Sequence, residues 1–470
     1  MEKLSPSHAL IYAIRETDQW WDYVGKNMGF DRSFVVSDIK GKGDFNVVND
    51  FYKSYPYFYE NESQSSPLLS TEVVVEIIKR CRVLRSMAPR VANAMVMSMA
   101  EAFKIVLEEV NPVVIVAFPI DRYVSDVLHH LAKARGIPFF ELAVSPLPRM
   151  AMLMSKGVLI KRDESPAISI ITDYVSELTK PLFVPSYVEG KSNFGLAKFL
   201  RIFFYFKLRG FVFKLISLIN RDPLNLHYLD SQSFLPHKVR IGDVKVVSLT
   251  DRAWRGKVEY FPVEKRIFFG LTVFPEASID YWIEPLELIQ YEDIVVDAAK
   301  SFSQLGYVVV VKDHPQQYGF RKKDFIQRLL EIENVVFVPY QVTGNELLAM
   351  CGINFTFTGT LGLQAALLGK TSITVDNYYS VKEDFVHYHN RGEIRELSLE
   401  LPENISNEDL KLRQHRVVSN LLKGSFECDF FSFQNFDPKC PSAAADNLGV
   451  VLGNEIRHHL SRSVRNNLKT

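Results

Sequence analysis

Four consecutive valines, Val308–Val311, constrain this chain more than any other feature. A strand with one face in water alternates apolar and polar residues. Four β-branched residues in a row instead predict a strand covered on both faces, as in a parallel sheet with helices on either side. The run continues as Lys312-Asp313-His314-Pro315. Proline cannot donate to a ladder, so the strand ends there and the histidine is held at the rim of the sheet. Parallel α/β sheets bind ligands beyond the carboxyl ends of their strands, where following helices offer unpaired N–H groups and a positive dipole end. Lys312, His314 and Pro315 therefore stand at a candidate binding edge. An imidazole there can donate to a phosphate or a sugar carboxylate, or serve as a structural hydrogen-bonder.

A second segment, Ile353–Thr371 (INFTFTGTLGLQAALLGKT), reads as strand, glycine-containing turn, helix, glycine stop and strand. Gly359 permits a tight turn, Thr358 or Thr360 is expected to cap the helix, and bare N–H groups at the helix start suit a phosphate. A plain strand-to-helix turn has the same composition. Thr358, Gly359, Thr360, Gly362 and Gln364 are the candidate residues here for binding a nucleotide or phosphorylated sugar. Gly369-Lys370-Thr371 is not a Walker A motif: Gln364 stands where that motif needs glycine, and the triplet ends a helix rather than opening one. Third, Val273–Asp280 (VFPEASID) puts Glu276 just past the expected strand Arg266–Val273, with Ser278 and Asp280 close by. A carboxylate at a strand end can orient sugar hydroxyls, stabilise an oxocarbenium-like transition state or act as a base. It can equally be a surface residue capping the next helix.

The first half repeats the pattern. Residues 9–17 and 33–38 open an α/β domain, Tyr52–Ser66 is expected to be a polar, aromatic loop, and helical periodicity runs through Thr71–Arg82 and Arg90–Glu109. Val113–Phe118 (VVIVAF) is another unbroken apolar strand, followed by Asp121 in the position that matches Glu276. Glu141 falls inside the next strand, FFELAV, where a buried acid needs a partner. Both are candidate catalytic carboxylates, and both are equally readable as a cap or a salt-bridged rim residue. Arg82 and Arg85, three apart on an expected helical face, are candidate acceptor-binding residues, though a solvated face explains such a pair as well. Between the halves, Ala197–Asn220 (AKFLRIFFYFKLRGFVFKLISLIN) carries Lys198, Arg201, Lys207, Arg209 and Lys214 among bulky apolar residues. That composition suits an interfacial helix on anionic lipid, or a packed helical hairpin around Gly210.

At 470 residues the chain is too long for one ordinary core. The expected fold is α/β, two Rossmann-like domains facing a cleft: residues 1–195, a basic-aromatic linker 196–240, residues 241–390, and a C-terminal helical segment 391–470 able to cross back onto the first domain. Strand-like character is expected to resume at Lys245–Ser248. Lys and Arg number 55 and Asp and Glu 55, so no global charge draws the chain to nucleic acid. Cys81, Cys351, Cys428 and Cys440 lack CxxC spacing, which speaks against a zinc site or a disulfide frame. In the start MEKLSPSHALIYAIRETDQWW charges break any apolar run, so no secretory leader is expected, and no window reaches 18 uncharged apolar residues. A cytoplasmic protein, at the inner face of the membrane if the basic-aromatic stretch binds lipid, is expected.

At VVVVKDHP, TGTLGLQAALLGK and VFPEASID, with IDRYVSDVLHHLAKARGIPFFELAVSPLP and KRCRVLRS in the first half, the chain resembles bacterial capsule polysaccharide biosynthesis proteins. That family is related to the retaining β-Kdo glycosyltransferases. The resemblance spans roughly residues 10–390. It implies a GT-B architecture, a CMP-Kdo donor in the C-terminal domain held by the His-Pro and Thr-Gly-Thr elements, and a glycan or glycolipid acceptor in the N-terminal one. Phe274 stands where the family often has Gln, so a different CMP-ulosonate or nucleotide-sugar remains compatible. No DxD string flanked by apolar strand residues is evident, and neither metal nor cofactor is expected. Rival readings are a nucleotide-sugar 2-epimerase and a non-catalytic, membrane-associated polysaccharide export protein.

Overall fold

The structure is a computed structural model that describes residues 7–61, 68–180, 183, 194–220, 224, 241–274, 276–396, 405–434 and 436–467. Pro275, nearly all of 221–240, residues 397–404 and the Lys214 side chain, all part of the expectations above, lie outside the described residues. The chain divides into two compact units: Met1–Asp163 with Ser217–Ser233 and Gly424–Thr470, and Glu164–Ile216 with Phe234–Lys423. The first unit's leading segment thus ends at Asp163.

Unit one is built on parallel strands β1 (His8–Ala13), β2 (Arg32–Ser37), β3 (Phe45–Asn46), β4 (Val114–Ala117) and β5 (Phe139–Val144), extended antiparallel by β6 (Met150–Ser155) and β7 (Val158–Leu159). Unit two is parallel throughout: β8 (Arg266–Gly270), β9 (Val308–Lys312), β10 (Val335–Phe337), β11 (Ile353–Phe355), β12 (Thr371–Thr374) and β13 (Val386–His387). A last strand, β14 (Ser425–Glu427), pairs antiparallel with β6 in unit one.

The four valines behave as their pattern requires. Val309 and Val311 pack into one apolar cluster with Phe269, Ile294 and Phe302. Val308 and Val310 join another, with Phe268, Leu347 and Trp254. All four are at most 1% exposed, so β9 has no wet face. Unit two runs β10-β9-β8-β11-β12-β13, the doubly wound order in which strands are added outward on one side and then on the other. Unit one repeats the reversal, β3-β2-β1-β4-β5. Both are Rossmann-like α/β units.

The C-terminal helix Ala443–Asn467 belongs to unit one because two glycines bring it against the chain after the helix Asp18–Lys26. A Cβ on Gly453 would collide with the Met28 carbonyl oxygen, and one on Gly449 would lie 2.7 Å from that of Val24. Leu448, Leu452 and Ile456 then bury against Trp20, Trp21 and Val24.

Several local expectations are corrected. Tyr52–Glu60 is not a loop but most of the helix Val48–Glu60, whose Phe51, Tyr55 and Tyr59 stack one turn apart. The Lys245–Ser248 stretch is a 3-10 helix, Ile241–Leu249, in which Val246 is the residue buried, so its valines never face a partner strand. Gly210 makes no hairpin: one helix runs Leu196–Asn220 straight through it. Arg82 and Arg85 do not share a helical face. The helix Thr71–Arg80 ends before them and a separate 3-10 turn, Leu84–Ser86, carries Arg85.

Candidate functional site

In a doubly wound sheet the crevice for a ligand opens where the strand order reverses, beyond the carboxyl ends. In unit two that is between β8 and β11, with β9 next to β8. The loops after these three strands carry the segments VFPEASID, KDHP and TGT. Side-chain bonds tie them together. Thr358 Oγ1 donates to Ser278 Oγ (2.9 Å), linking the Thr-Gly-Thr turn to the short helix Ala277–Asp280 behind Glu276. Thr356 Oγ1 donates to the Gly270 carbonyl at 3.4 Å.

Arg321, which the sequence reading missed, joins the β8 and β9 loops. Its Nη2 donates to the Thr272 carbonyl (2.7 Å), and Nε and Nη2 both reach Asp313 Oδ1 at 3.0 and 2.6 Å. The same Oδ1 accepts the His314 N–H (2.8 Å), while Tyr340 Oη donates to Oδ2 (2.7 Å). Arg321 and Asp313 are both at most 2% exposed. Burial alone would lower the guanidinium's pKa, but Asp313 beside it holds it above its ordinary value. Burial, then Asp313, raises that of Tyr340. Arg321 Nη1 and Thr272 Oγ1 find no partner among the described residues. Unmet donors of this kind cost about 1–3 kcal/mol each unless a water or ligand meets them.

His314 sits half-buried at the start of the 3-10 turn Pro315–Gln317, and its Nδ1 accepts the Gln316 N–H (3.2 Å). The neutral ring then carries its proton on Nε2 as a donor. Lys312 is buried, donating to the carbonyls of Asp313 (3.3 Å) and Tyr340 (3.5 Å), and burial pushes its ammonium down to about 8. Glu276 is half-buried at the N-cap position of Ala277–Asp280 without a side-chain cap bond.

Gly359, not a threonine, occupies the cap position of the helix Thr360–Leu367, which has no side-chain cap. The expected threonine cap is therefore corrected: the Thr358 hydroxyl is spent on Ser278. Helix geometry leaves the first N–H groups without intrahelical acceptors. Close packing explains the glycines, since a Cβ at Gly359 would lie 2.9 Å from Thr356 Oγ1 and one at Gly362 2.6 Å from Tyr379 Oη. Tyr379 Oη in turn donates to the Gly359 carbonyl (2.8 Å). Gln364 Nε2 donates to the Phe183 carbonyl (3.2 Å), so this side chain holds a neighbouring segment.

Unit one has its own reversal between β1 and β4. Asp121 follows β4, partly exposed, with Oδ1 accepting from Arg122 Nε (3.2 Å). Arg122 Nη1 also donates to Asp38 Oδ2 (3.1 Å), after β2, and both of these residues are buried. The strand-end rule that flagged Asp121 would have found Asp38 in SFVVSD, had it been applied there. Arg85 Nη1 donates to the Lys79 carbonyl (3.3 Å) and is exposed, while Arg82 is half-buried.

Glu141, a candidate catalytic carboxylate or salt-bridged rim residue by sequence, is held inside the fold. At 0% exposure it accepts the N–H of Ile120 (2.9 Å) and that of Lys156, bracing the turn after β4. Burial, against those two bonds, pushes its carboxyl up to about 7 from an ordinary 4.5. The folded state then holds a proton that the unfolded chain releases near 4.5. Stability should be full below that pH and fall by about 3 kcal/mol as pH rises through 7. Denaturant titrations from pH 4 to 8 check this: Glu141→Gln should lose that part of the slope. An unchanged pH profile in the variant would show that folding leaves the Glu141 carboxyl at its ordinary pKa.

No protein-family model matches the chain, and no curated protein matches it. Similar solved structures include the β-Kdo 2,7-transferase KpsC of Thermosulfurimonas dismutans, 10% identical, covering 95% of this chain and 99% of that one with a TM-score of 0.34. The UDP-GlcNAc 2-epimerase of Methanocaldococcus jannaschii, in complex with UDP-GlcNAc and UDP, is 14% identical over 89% of this chain and 100% of its own, TM-score 0.25. A Rickettsia africae glycosyltransferase is 10% identical over 97% and 99%, TM-score 0.26. At such scores the likenesses carry no functional weight of their own. The fold class stands on the strand order of the chain itself.

Proposed function

We propose that this protein is a GT-B-type glycosyltransferase of capsule or surface polysaccharide biosynthesis. It transfers Kdo or a related ulosonate from a CMP-activated donor to a glycan or glycolipid acceptor. One observation carries the reading: at the β8/β11 reversal, three strand-end loops bearing Glu276, His314 and the Gly359-started helix are bonded into one edge. His314 Nε2 and the N–H groups at Thr360 would hold the departing CMP phosphate, a leaving-group role that needs no metal. Lys312 would add positive charge beneath. Glu276 would face the sugar, where positive charge develops as the glycosidic bond to phosphate breaks. Asp121, beside Arg122 in unit one, is the proposed acceptor-side carboxylate, with Arg82 and Arg85 as acceptor contacts and the cytoplasm as the location.

A thermal-shift series with CMP, UDP, GDP and ADP tests the donor, because a ligand selective for the folded state raises its melting temperature. Preference for CMP supports the reading; a shift with UDP alone moves the donor class. Incubating nucleotide-sugar without acceptor separates the rivals, since a 2-epimerase converts the sugar while a transferase gives at most slow hydrolysis. No nucleotide response at all would leave the non-catalytic export role. His314→Ala should weaken nucleotide binding by about 1–3 kcal/mol, the usual worth of a hydrogen bond to a charged group. Unchanged affinity by calorimetry, with the fold intact, would remove His314 from the site.

A further inference from the structure

The helix Leu196–Asn220 has two apolar faces, and one of them covers the protein. Phe199 is 1% exposed and packs on Phe320, with Ile202 and Phe203 partly buried in the same cluster, and Phe213 is also buried. At about 100° per residue these positions fall on one side of the helix. The other apolar set is open. Phe204, Tyr205, Leu208, Phe211, Val212 and Leu215 are 60, 57, 65, 62, 39 and 47% exposed, and Leu218 and Ile219 reach 76 and 79%. On the same wheel all eight fall within an arc of about 140° centred opposite Phe199, Ile202, Phe203 and Phe213, with Leu200, packed on the Phe199 cluster, at its margin.

Two cations edge this arc, and a third, the exposed Arg201, lies within it near the start of the helix. Lys207 lies just beyond one margin, over the Phe203 ring at 5.4 Å. Arg209 lies just beyond the other, over Phe213 at 4.7 Å and Tyr205 at 5.7 Å. Residues 196–220 contain no acidic residue. Isolated exposed apolar residues need no explanation, but a contiguous stripe of eight on one helix marks a contact surface. Its chemistry selects among partners. The margins are purely cationic, the chain as a whole is neutral, and the helix, about 37 Å long at 1.5 Å per residue, is not apolar enough to cross a bilayer. Lying along a surface, its aromatic and aliphatic side chains enter the acyl boundary while Lys207 and Arg209 reach the headgroups.

We infer that the outward face of Leu196–Asn220 docks the protein in plane on an anionic lipid bilayer. The inference is independent of the nucleotide-sugar reading and adds to it the place where a lipid-linked acceptor would be met. The test is co-sedimentation of the full chain with vesicles of phosphatidylcholine alone or with 30 mol% phosphatidylserine (about one anionic lipid in three), at low and high salt. CMP thermal shifts are recorded on the same samples. Binding should be at least about tenfold stronger to anionic vesicles and should weaken with salt as the charges are screened. Both Leu208→Glu/Phe211→Glu and Lys207→Glu/Arg209→Glu should lose about tenfold or more. These side chains are exposed or edge the exposed face, so melting temperature and nucleotide response should hold. Absence of vesicle binding, equal binding to both lipids, or indifference to the substitutions would overturn the inference. So would a concentration-dependent dimer that Leu208→Glu/Phe211→Glu dissociates while vesicles are ignored, which would assign the face to a second copy. Loss of nucleotide response with vesicle binding intact would count against the functional reading alone.

Discussion

Arg321→Met is expected to destabilise unit two by about 3–5 kcal/mol, because it strips the partner from a carboxylate sealed in the interior. Asp313 would keep the His314 N–H and the Tyr340 hydroxyl but lose both guanidinium bonds, and the Thr272 carbonyl would lose its donor. Desolvating an ion pair generally returns little net stability, so a fully buried one at three strand ends points to precise loop placement. Removing both charges together, Arg321→Met/Asp313→Asn, should therefore cost less than Arg321→Met alone. Hydrogen exchange of the Val309–Val311 amides reads the effect, since this strand is covered on both faces and opens with its unit. A loss below about 0.5 kcal/mol, the size of an ordinary surface substitution, would show the pair to be dispensable.

Glu276→Gln should lower kcat by about two to four orders of magnitude with little change in donor affinity. The substitution preserves shape and removes the charge, so it separates a group that acts on the transition state from one that holds the ground state. Initial rates at saturating donor, with the dissociation constant measured alongside, check both halves. A variant that keeps near wild-type kcat would make Glu276 a surface residue at a helix start. Asp121→Asn would then be the next variant, since Asp121 stands in the corresponding place in unit one and its bond to Arg122 leaves part of the carboxylate exposed.

Strand identity and strand ends were legible locally. Val308–Val311 announces a two-sided burial that needs no knowledge of the neighbours, and Pro315 and Gly359 mark where the chain must turn. By the same rule of reading, Glu276, His314 and Asp121 fall at carboxyl ends. Glu141 inside FFELAV reads as an acid that needs partners if it is buried, and its partners are backbone N–H groups of Ile120 and Lys156, 21 and 15 residues away. No side-chain pattern announces a backbone donor. The aromatic run after Val48 was misread because Tyr, Asn and Ser suggest a loop by composition, while the stacking of Phe51, Tyr55 and Tyr59 one turn apart favours a helix.

What the sequence determined by itself is therefore the class of the strongly patterned elements, such as Val308–Val311, and the residue types offered at their ends, since period and breakers are properties of neighbours along the chain. Tertiary structure decided the partnerships. Arg321 joins Asp313 to Thr272 across 49 residues, Arg122 meets Asp38 across 84, and Thr358 meets Ser278 across 80. It also decided which face of Leu196–Asn220 is covered. Both faces are apolar, so the pattern could not tell them apart. The choice fell to Phe320 and its neighbours, which bury the side bearing Phe199 and leave the side bearing Leu208 and Phe211 open. Long-range pairing depends on which surfaces the folded chain brings within a few ångströms, and no local pattern encodes that distance.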